Sequence, residues 1–341
     1  MHKIKELIDN DIRKKTKSMN KKDLRIVFMG TPEFATESLK ALVEGGYRVV
    51  GVVTMPDKPA GRGHKLQHSA VKEYALKQNL PVLQPEKLKS PNFLKELTNL
   101  KPDLQIVVAF RMLPESVWSL PPRGTFNLHA SLLPQYRGAA PINRAIINGE
   151  KETGVTTFFL SHEIDTGEII FSEKTPVSET DTAGIVHDKL MLTGAKLVLK
   201  TVDAVIENKV QSFPQNNYID EKELKPAPKI FKETCKIDWS AEVEKIYDFI
   251  RGLSPYPTAW TELQTPDNEI IPLKVIESEK IIEEHRLPFG AIRTDEKRIL
   301  DVAARNGFIR LKNIQLPGKK RMNTDELLRG FKITEEFKVG E

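Results

Sequence analysis

Between Leu24 and Asn208, strand-sized apolar runs alternate with segments of helical periodicity, and this alternation restricts the fold more than any other feature of the chain. LRIVFMG (24–30) ends in Gly and runs into TPEFATESLKALVEGG, which Thr31 and Pro32 open and Gly45-Gly46 close, as a helix would be. YRVVGVVT (47–54), PVLQP (81–85), LQIVVAF (104–110) and GTFNLH (124–129) predict further strands, with SAVKEYALKQN (69–79) and PNFLKELTNL (91–100) as helices between them. Such uniformly apolar strands have no wet face, so they predict a Rossmann-like, mostly parallel sheet covered by helices on both sides. AAPINRAIING (139–149) predicts a helix, ETGVTTFFL (152–160) and GEIIFSEKT (167–175) two more strands, and residues 182–208 a long helix.

The periodicity then fails. KVQSFPQNNYIDEKELKPAPK (209–229) is polar and Pro-containing and reads as a linker. Beyond it, one helix (AEVEKIYDFIRG, 241–252) and closely spaced strands (AWTEL, LKVIESEKII, ILDVAA, FIRLKNIQL) predict a small OB-like β-barrel. A length of 341 residues suits two domains. The expected organisation is a basic extension at 1–22, an α/β domain at 23–208, a linker at 209–228 and the barrel at 229–341.

The formal net charge of +5 resides entirely in residues 1–22, where eight Lys and Arg stand against Glu6, Asp9 and Asp11. Residues 23–341 are balanced, so any nucleic-acid partner must be argued from local basic stripes. Residues 1–22 are expected to be a disordered or non-native extension rather than a nucleic-acid arm or a solvated helix, with Met19, just before the first predicted strand, favouring a later start. The single cysteine, Cys235, excludes an internal disulfide framework and fits a reducing cytoplasm. No apolar run reaches the roughly 20 residues that span a bilayer, and the N-terminus lacks the apolar core of a signal peptide.

Dinucleotide binding is disfavoured, because GTPEFA (30–35) has one Gly where the phosphate-cradling turn needs several. More informative is FNLHASLLPQYRGAAPINRA (126–145). Residues two apart on a strand face one side, so Asn127 and His129 project together. They stand at the C-terminal end of a predicted parallel strand, where open α/β sheets place their ligand crevice. An amide donor beside an imidazole can stabilise a developing oxyanion and handle a proton, although a satisfied polar strand end would look the same. IDTG (164–167) adds Asp165 in the turn between the next two strands, able to orient His129; alone, Asp-Thr-Gly is ordinary turn chemistry. His64, His68, His162 and His187 lack metal-like spacing, and no metal is predicted.

FNLHASLLPQYRGAAPINRAI, followed by ETGVTTFFL and IDTGEII, resembles the folate-dependent formyltransferases, and more narrowly those acting on methionyl-tRNA. GTPEFA, PDKPAGRGHKL (56–66), IRGLSPYPTAW (250–260) and QLPGKKRM (315–322) extend the resemblance from about Leu24 nearly to the C-terminus. It implies a catalytic set of Asn127, His129 and Asp165, and contact of Ser131, Leu132, Leu133 and Pro134 with 10-formyltetrahydrofolate. The implied acceptor is methionyl-initiator-tRNA, with the enzyme a cytoplasmic monomer. Two stretches depart from the family pattern. AFRMLP (109–114) is one residue short, and SHEI (161–164) replaces an acidic-glycine run.

Two basic stretches suit an RNA acceptor. The Gly/Pro-rich PDKPAGRGHKL carries Lys58, Arg62 and Lys65, with Arg62 the first candidate for the acceptor stem. FIRLKNIQLPGKKRM (308–322) carries Arg310, Lys312, Lys319, Lys320 and Arg321 and no acid. Either could be merely solvated. A formyltransferase acting on a small-molecule amine would share the Asn/His/Asp chemistry but not these stripes. An RNA-binding module with a dead catalytic domain would have no reason to carry all three residues.

Overall fold

The computed structural model describes residues 19–60, 65–217 and 223–340. Its first strands are β1 (Ile26–Gly30), β2 (Val49–Val53), β3 (Lys58–Ala60), β4 (Lys65–Gln67), β5 (Val82–Leu83), β6 (Leu104–Val108), β7 (Thr125–His129), β8 (Glu152–Phe159) and β9 (Ile169–Pro176). All but β3 and β4 join one sheet in the order β5-β2-β1-β6-β7-β8-β9. Pairing is parallel from β5 through β7, and β8 runs antiparallel to β7 with Thr156 opposite His129. Every residue of β1 and β6 is buried, as expected of strands covered on both faces. The strand order reverses between β1 and β6, which opens a crevice at their C-terminal ends, beside that of β7.

The flanking helices start where their caps dictate. Ser69 accepts from the Lys72 N–H ahead of Ala70–Lys77, and Ser90 from the Phe93 N–H ahead of Pro91–Asn99. Phe93 and Leu97, one turn apart, bury against Val27, Met29 and Val107. The long helix Ala183–Ile206 approaches β7 closely at Gly194, where a β-carbon would come within 2.7 Å of Leu128 Cδ2.

The strands that follow are β10 (Ala259–Gln264), β11 (Ile270–Ile282), β12 (Ile292–Thr294), β13 (Leu300–Ala304), β14 (Gly307–Gln315), β15 (Met322–Asn323) and β16 (Lys338–Val339). They form a sheet of order β12-β13-β14-β11-β10-β16, with β15 on β14. Antiparallel contact of Ala291 with Lys338 and a 2.9 Å bond from Val339 N–H to Gly290 O bring its two edges together, giving a nearly closed barrel. Its core is filled by Val243, Ile246 and Ile250 of the helix Val243–Gly252, and by Trp239, whose indole N–H donates to Thr261 Oγ1 at 2.9 Å. The α/β fold with a barrel-like C-terminal sheet is the architecture that the alternation of elements predicts.

Three local features differ from the sequence reading. PDKPAGRGHKL, read as a loop, folds its ends back as the antiparallel arms β3 and β4. In the stretch read as a linker, Phe213 exchanges two 2.9 Å backbone bonds with Ile169. The helix Thr324–Gly330 escaped the reading although Asn323 and Glu326 form a capping box, a signal present in the sequence. The described chain divides into two compact units. One lies within Met1–Pro134, Val155–Glu173 and Met191–Glu221, the other within Gln135–Gly154, Lys174–Leu190 and Lys222–Glu341.

Candidate active site

Strand β7 presents Asn127 and His129 on one face, two residues apart. His129 is 7% exposed, and its ring meets the Phe158 ring edge-on at 6.5 Å between centroids. Asp165 Oδ2 lies 3.9 Å from His129 Nδ1, close enough for direct electrostatic interaction and within reach of a bridging water. Asn127 is half-buried, beside Val107 of β6 and opposite Phe158 of β8, and its amide has no side-chain hydrogen bond among the described residues. His129 and Asp165 therefore meet at the C-terminal end of β7, and Asn127 lies on the strand face that His129 occupies.

Asp165 is held in a left-handed conformation, φ 55°. The buried Gln215 amide holds it there, donating to Asp165 O and to Gly167 O at 2.8 Å each. Gly167 cannot be replaced cheaply, because an added β-carbon would lie 1.6 Å from Phe159 O. The same strap pairs Phe213 with Ile169 and bonds Ser212 Oγ to Glu168 Oε2. His162 packs edge-on against Trp118 at 5.4 Å, with Nε2 3.8 Å from Glu115, and so ties down the SHEI segment.

Ser131 and Leu133 are buried, and Leu132 and Pro134 complete the turn after β7. Thr156 fastens this turn. Its hydroxyl donates to Ser131 O at 2.7 Å and accepts from the Leu133 N–H at 3.2 Å, with Ser172 Oγ 3.1 Å away. Leu133, Phe158 and Ile169 form an apolar cluster next to the polar trio, with Leu160 at its edge. After β6, Ala109 takes φ 46° and Arg111 reaches back to Glu86 O at 2.8 Å and to Pro85 O, while Met112 stays exposed. Neither Thr156 nor Gln215 was legible beforehand. Their roles depend on the β7–β8 register and on a contact between residues 50 positions apart.

The basic candidates separate sharply. Lys58 is exposed on β3, Lys65 lies on β4, and Arg62 falls outside the described residues. At the hairpin base Asp57 accepts from Lys72 and from Gln84 at 2.9 Å, with His68 at 3.1 Å; the Lys72 ammonium above all holds its carboxyl below the usual carboxylate range. On the barrel, Arg310 is committed to the buried Asp301 through two bonds of 2.7 and 3.0 Å, a site it shares with Arg293. Lys312 pairs with Glu279 at 3.1 Å, and Arg321 donates to Pro255 O at 2.8 Å. Lys319 and Lys320 are exposed and join no ion pair among the described residues. The basic stripe is thus mostly engaged within the barrel, because β13 and β11 place Asp301 and Glu279 beside it. No cluster of three or more His, Cys, Asp or Glu suited to a metal ion occurs among the described residues. No helix among them is long and apolar enough to cross a membrane.

Two family profiles match the chain: Formyl transferase over residues 24–202, and Formyl transferase, C-terminal domain, over residues 229–332. The methionyl-tRNA formyltransferase of Bacteroides thetaiotaomicron is 63% identical over 321 residues, covering 94% of this chain and 100% of that protein. That of Porphyromonas gingivalis W83 is 51% identical over the same shares of both chains. The chain belongs to the methionyl-tRNA formyltransferase family.

Solved structures of lower identity share the fold of this family member. HypX from Aquifex aeolicus in complex with tetrahydrofolic acid superposes with a TM-score of 0.60 at 18% identity, covering 89% of this chain and 47% of HypX. An N-formyltransferase from Helicobacter canadensis with folinic acid and dTDP-3-aminofucose gives 0.60 at 21% identity, over 84% of this chain and 98% of that one.

Proposed function

We infer that this chain transfers a formyl group from a folate donor to the α-amino group of methionine carried on initiator tRNA, giving N-formylmethionyl-tRNA for translation initiation. The observation that carries this reading is the 63% identity to a methionyl-tRNA formyltransferase over the whole of that protein. Its donor is 10-formyltetrahydrofolate, and it works as a monomer in the cytoplasm. Residues 23–208 are the catalytic domain and 229–341 the tRNA-binding barrel, joined by 209–228, with 1–22 as an extension.

The site suits a flat donor. The Ser131–Pro134 turn is fastened by Thr156 and lies beside the apolar cluster of Leu133, Phe158 and Ile169, which a flat ring can pack against. An α-amine titrates near 8, so its neutral form is available at little cost. As its nitrogen bonds to the formyl carbon, negative charge gathers on the formyl oxygen. Asn127 and His129 donate to that oxygen, and Asp165 holds His129 in orientation. When the bond from carbon to N10 breaks, the proton released by the amine passes to N10 through His129 or a water beside it. Removing one preorganised oxyanion donor costs on the order of a hundredfold or more in turnover. Lys319 and Lys320 offer their ammonium groups to tRNA phosphates, as does Lys58 on β3, and Arg62 and Lys65 remain candidates for the same role from their sequence.

The test is formyl transfer from 10-formyltetrahydrofolate to initiator and elongator methionyl-tRNA, to free methionine and to an amino sugar nucleotide. Wild type, Asn127→Ala and His129→Ala are compared. Transfer to initiator tRNA alone, reduced by about a hundredfold or more in both variants, is expected. Transfer only to a small amine would overturn the acceptor, and a folded Asn127→Ala enzyme of normal rate would remove that residue from the site.

A further inference from the structure

Among the large apolar and aromatic residues left exposed, Tyr256 stands out at 81% of its surface. It lies on an immobilised loop. Pro255 and Pro257 flank it and restrict the backbone on both sides. The Thr258 N–H donates to Leu253 O and its hydroxyl to Pro255 O, both at 2.9 Å, and the Gly184 N–H donates to Ser254 O at 3.0 Å. Gly184 packs so closely that a β-carbon there would lie 2.6 Å from Pro255 Cδ.

The loop also touches the basic turn after β14. Arg321 Nη2 donates to Pro255 O at 2.8 Å, so Arg321 joins Tyr256's immediate neighbour to the segment bearing Lys319 and Lys320. That turn is itself fixed, by Gln315 Nε2 on Lys319 O at 2.8 Å and by the Lys319 N–H on Leu316 O at 3.1 Å. An exposed aromatic side chain and two exposed lysines are thus carried on ordered backbone segments that Arg321 joins. That combination recognises an unstacked base with its flanking phosphates, because a base offers a π-face of any sequence and its backbone offers the charge.

We propose that Tyr256 is a stacking platform for an unpaired base of the tRNA, with Lys319 and Lys320 holding the adjoining phosphates. This rests on the tRNA acceptor proposed above and adds a contact that the catalytic trio does not supply. It separates two kinds of binding. The stacking contact is nearly independent of salt, whereas each lysine–phosphate contact adds to the salt dependence.

The full-length enzyme is tested as wild type, Tyr256→Ala, Tyr256→Phe and the double variant Lys319→Ala/Lys320→Ala. Initiator tRNA binding is measured at several salt concentrations, formyl transfer is followed in parallel, and thermal melts confirm folding. Tyr256→Ala is expected to weaken tRNA binding and raise the tRNA KM by about fivefold to a hundredfold, with kcat kept. Tyr256→Phe, which keeps the ring, should bind as wild type, and the lysine variant should flatten the salt slope. A folded Tyr256→Ala protein binding tRNA within twofold of wild type would overturn the proposal, as would a Tyr256→Phe protein as weak as the Ala variant. Failure of wild type to formylate methionyl-tRNA would instead sink the acceptor assignment, so the two failures are distinguishable.

Discussion

Replacing Gln215 by Leu removes both N–H donors that hold the Asp165 turn while keeping the side chain's bulk. Gln215 is 3% exposed, and its bonds to Asp165 O and Gly167 O are 2.8 Å each. A buried hydrogen bond contributes about 1 kcal/mol net, and stranding a buried carbonyl costs about 1–3 kcal/mol. Two carbonyls therefore set the loss at about 2–6 kcal/mol, towards the lower end where water can reach the turn. Against this restraint works the left-handed conformation of Asp165, φ 55°, which opposes an L-residue by about 1–2 kcal/mol. With the donors gone that strain is no longer held, and Asp165 leaves its place 3.9 Å from His129. Ser212 and Phe213 keep their own bonds to Glu168 and Ile169, so the strap stays docked. A loss of about 1.4–2.7 kcal/mol in positioning lowers kcat by about tenfold to a hundredfold, with the tRNA KM unchanged. Steady-state formyl transfer with saturating donor measures this, with Asp165→Asn as the control for the carboxylate itself. A Gln215→Leu enzyme with a lowered melting temperature and a kcat within twofold of wild type would refute the positioning argument.

Two further outcomes follow from the local chemistry. Thr156→Val leaves Ser131 O and the Leu133 N–H without the hydroxyl that joins them, and destabilises the protein by about 1–3 kcal/mol; the KM for the folate donor rises while that for tRNA does not, and an unchanged donor KM would disconnect this turn from donor binding. Asp57, its carboxyl depressed first by Lys72 and then by Gln84 and His68, contributes stability that is complete above the unfolded carboxylate range near 4 and is lost as pH falls below it. The melting-temperature gap between wild type and Asp57→Asn should therefore be constant from pH 7 to about 5 and shrink in stronger acid; a gap that widens on acidification would contradict the anchoring role.

The placement of the proposed trio was legible because local rules suffice for it. Alternation on β7 puts Asn127 and His129 on one face, a parallel strand end marks the crevice, and a turn before β9 carries Asp165. The partners of the barrel's basic stripe were not legible, since counting charges along residues 308–322 ignores what lies across the sheet. Antiparallel register sets Asp301 opposite Arg310 and brings Glu279 beside Lys312, so both basic side chains also form ion pairs within the barrel.

The order and type of the main elements, and the strand face and turn that carry Asn127, His129 and Asp165, were determined by the sequence itself, because periodicity, caps and turn residues act over a few positions. Which residues hold that chemistry in place was decided only by tertiary structure. Thr156 reaches the turn after β7 through cross-strand register, Gln215 reaches Asp165 across 50 positions, and Gly167 is required by Phe159 O, an atom eight residues away in the chain. Such contacts leave no local pattern, because their partners are chosen by the folded sheet rather than by neighbours in the chain.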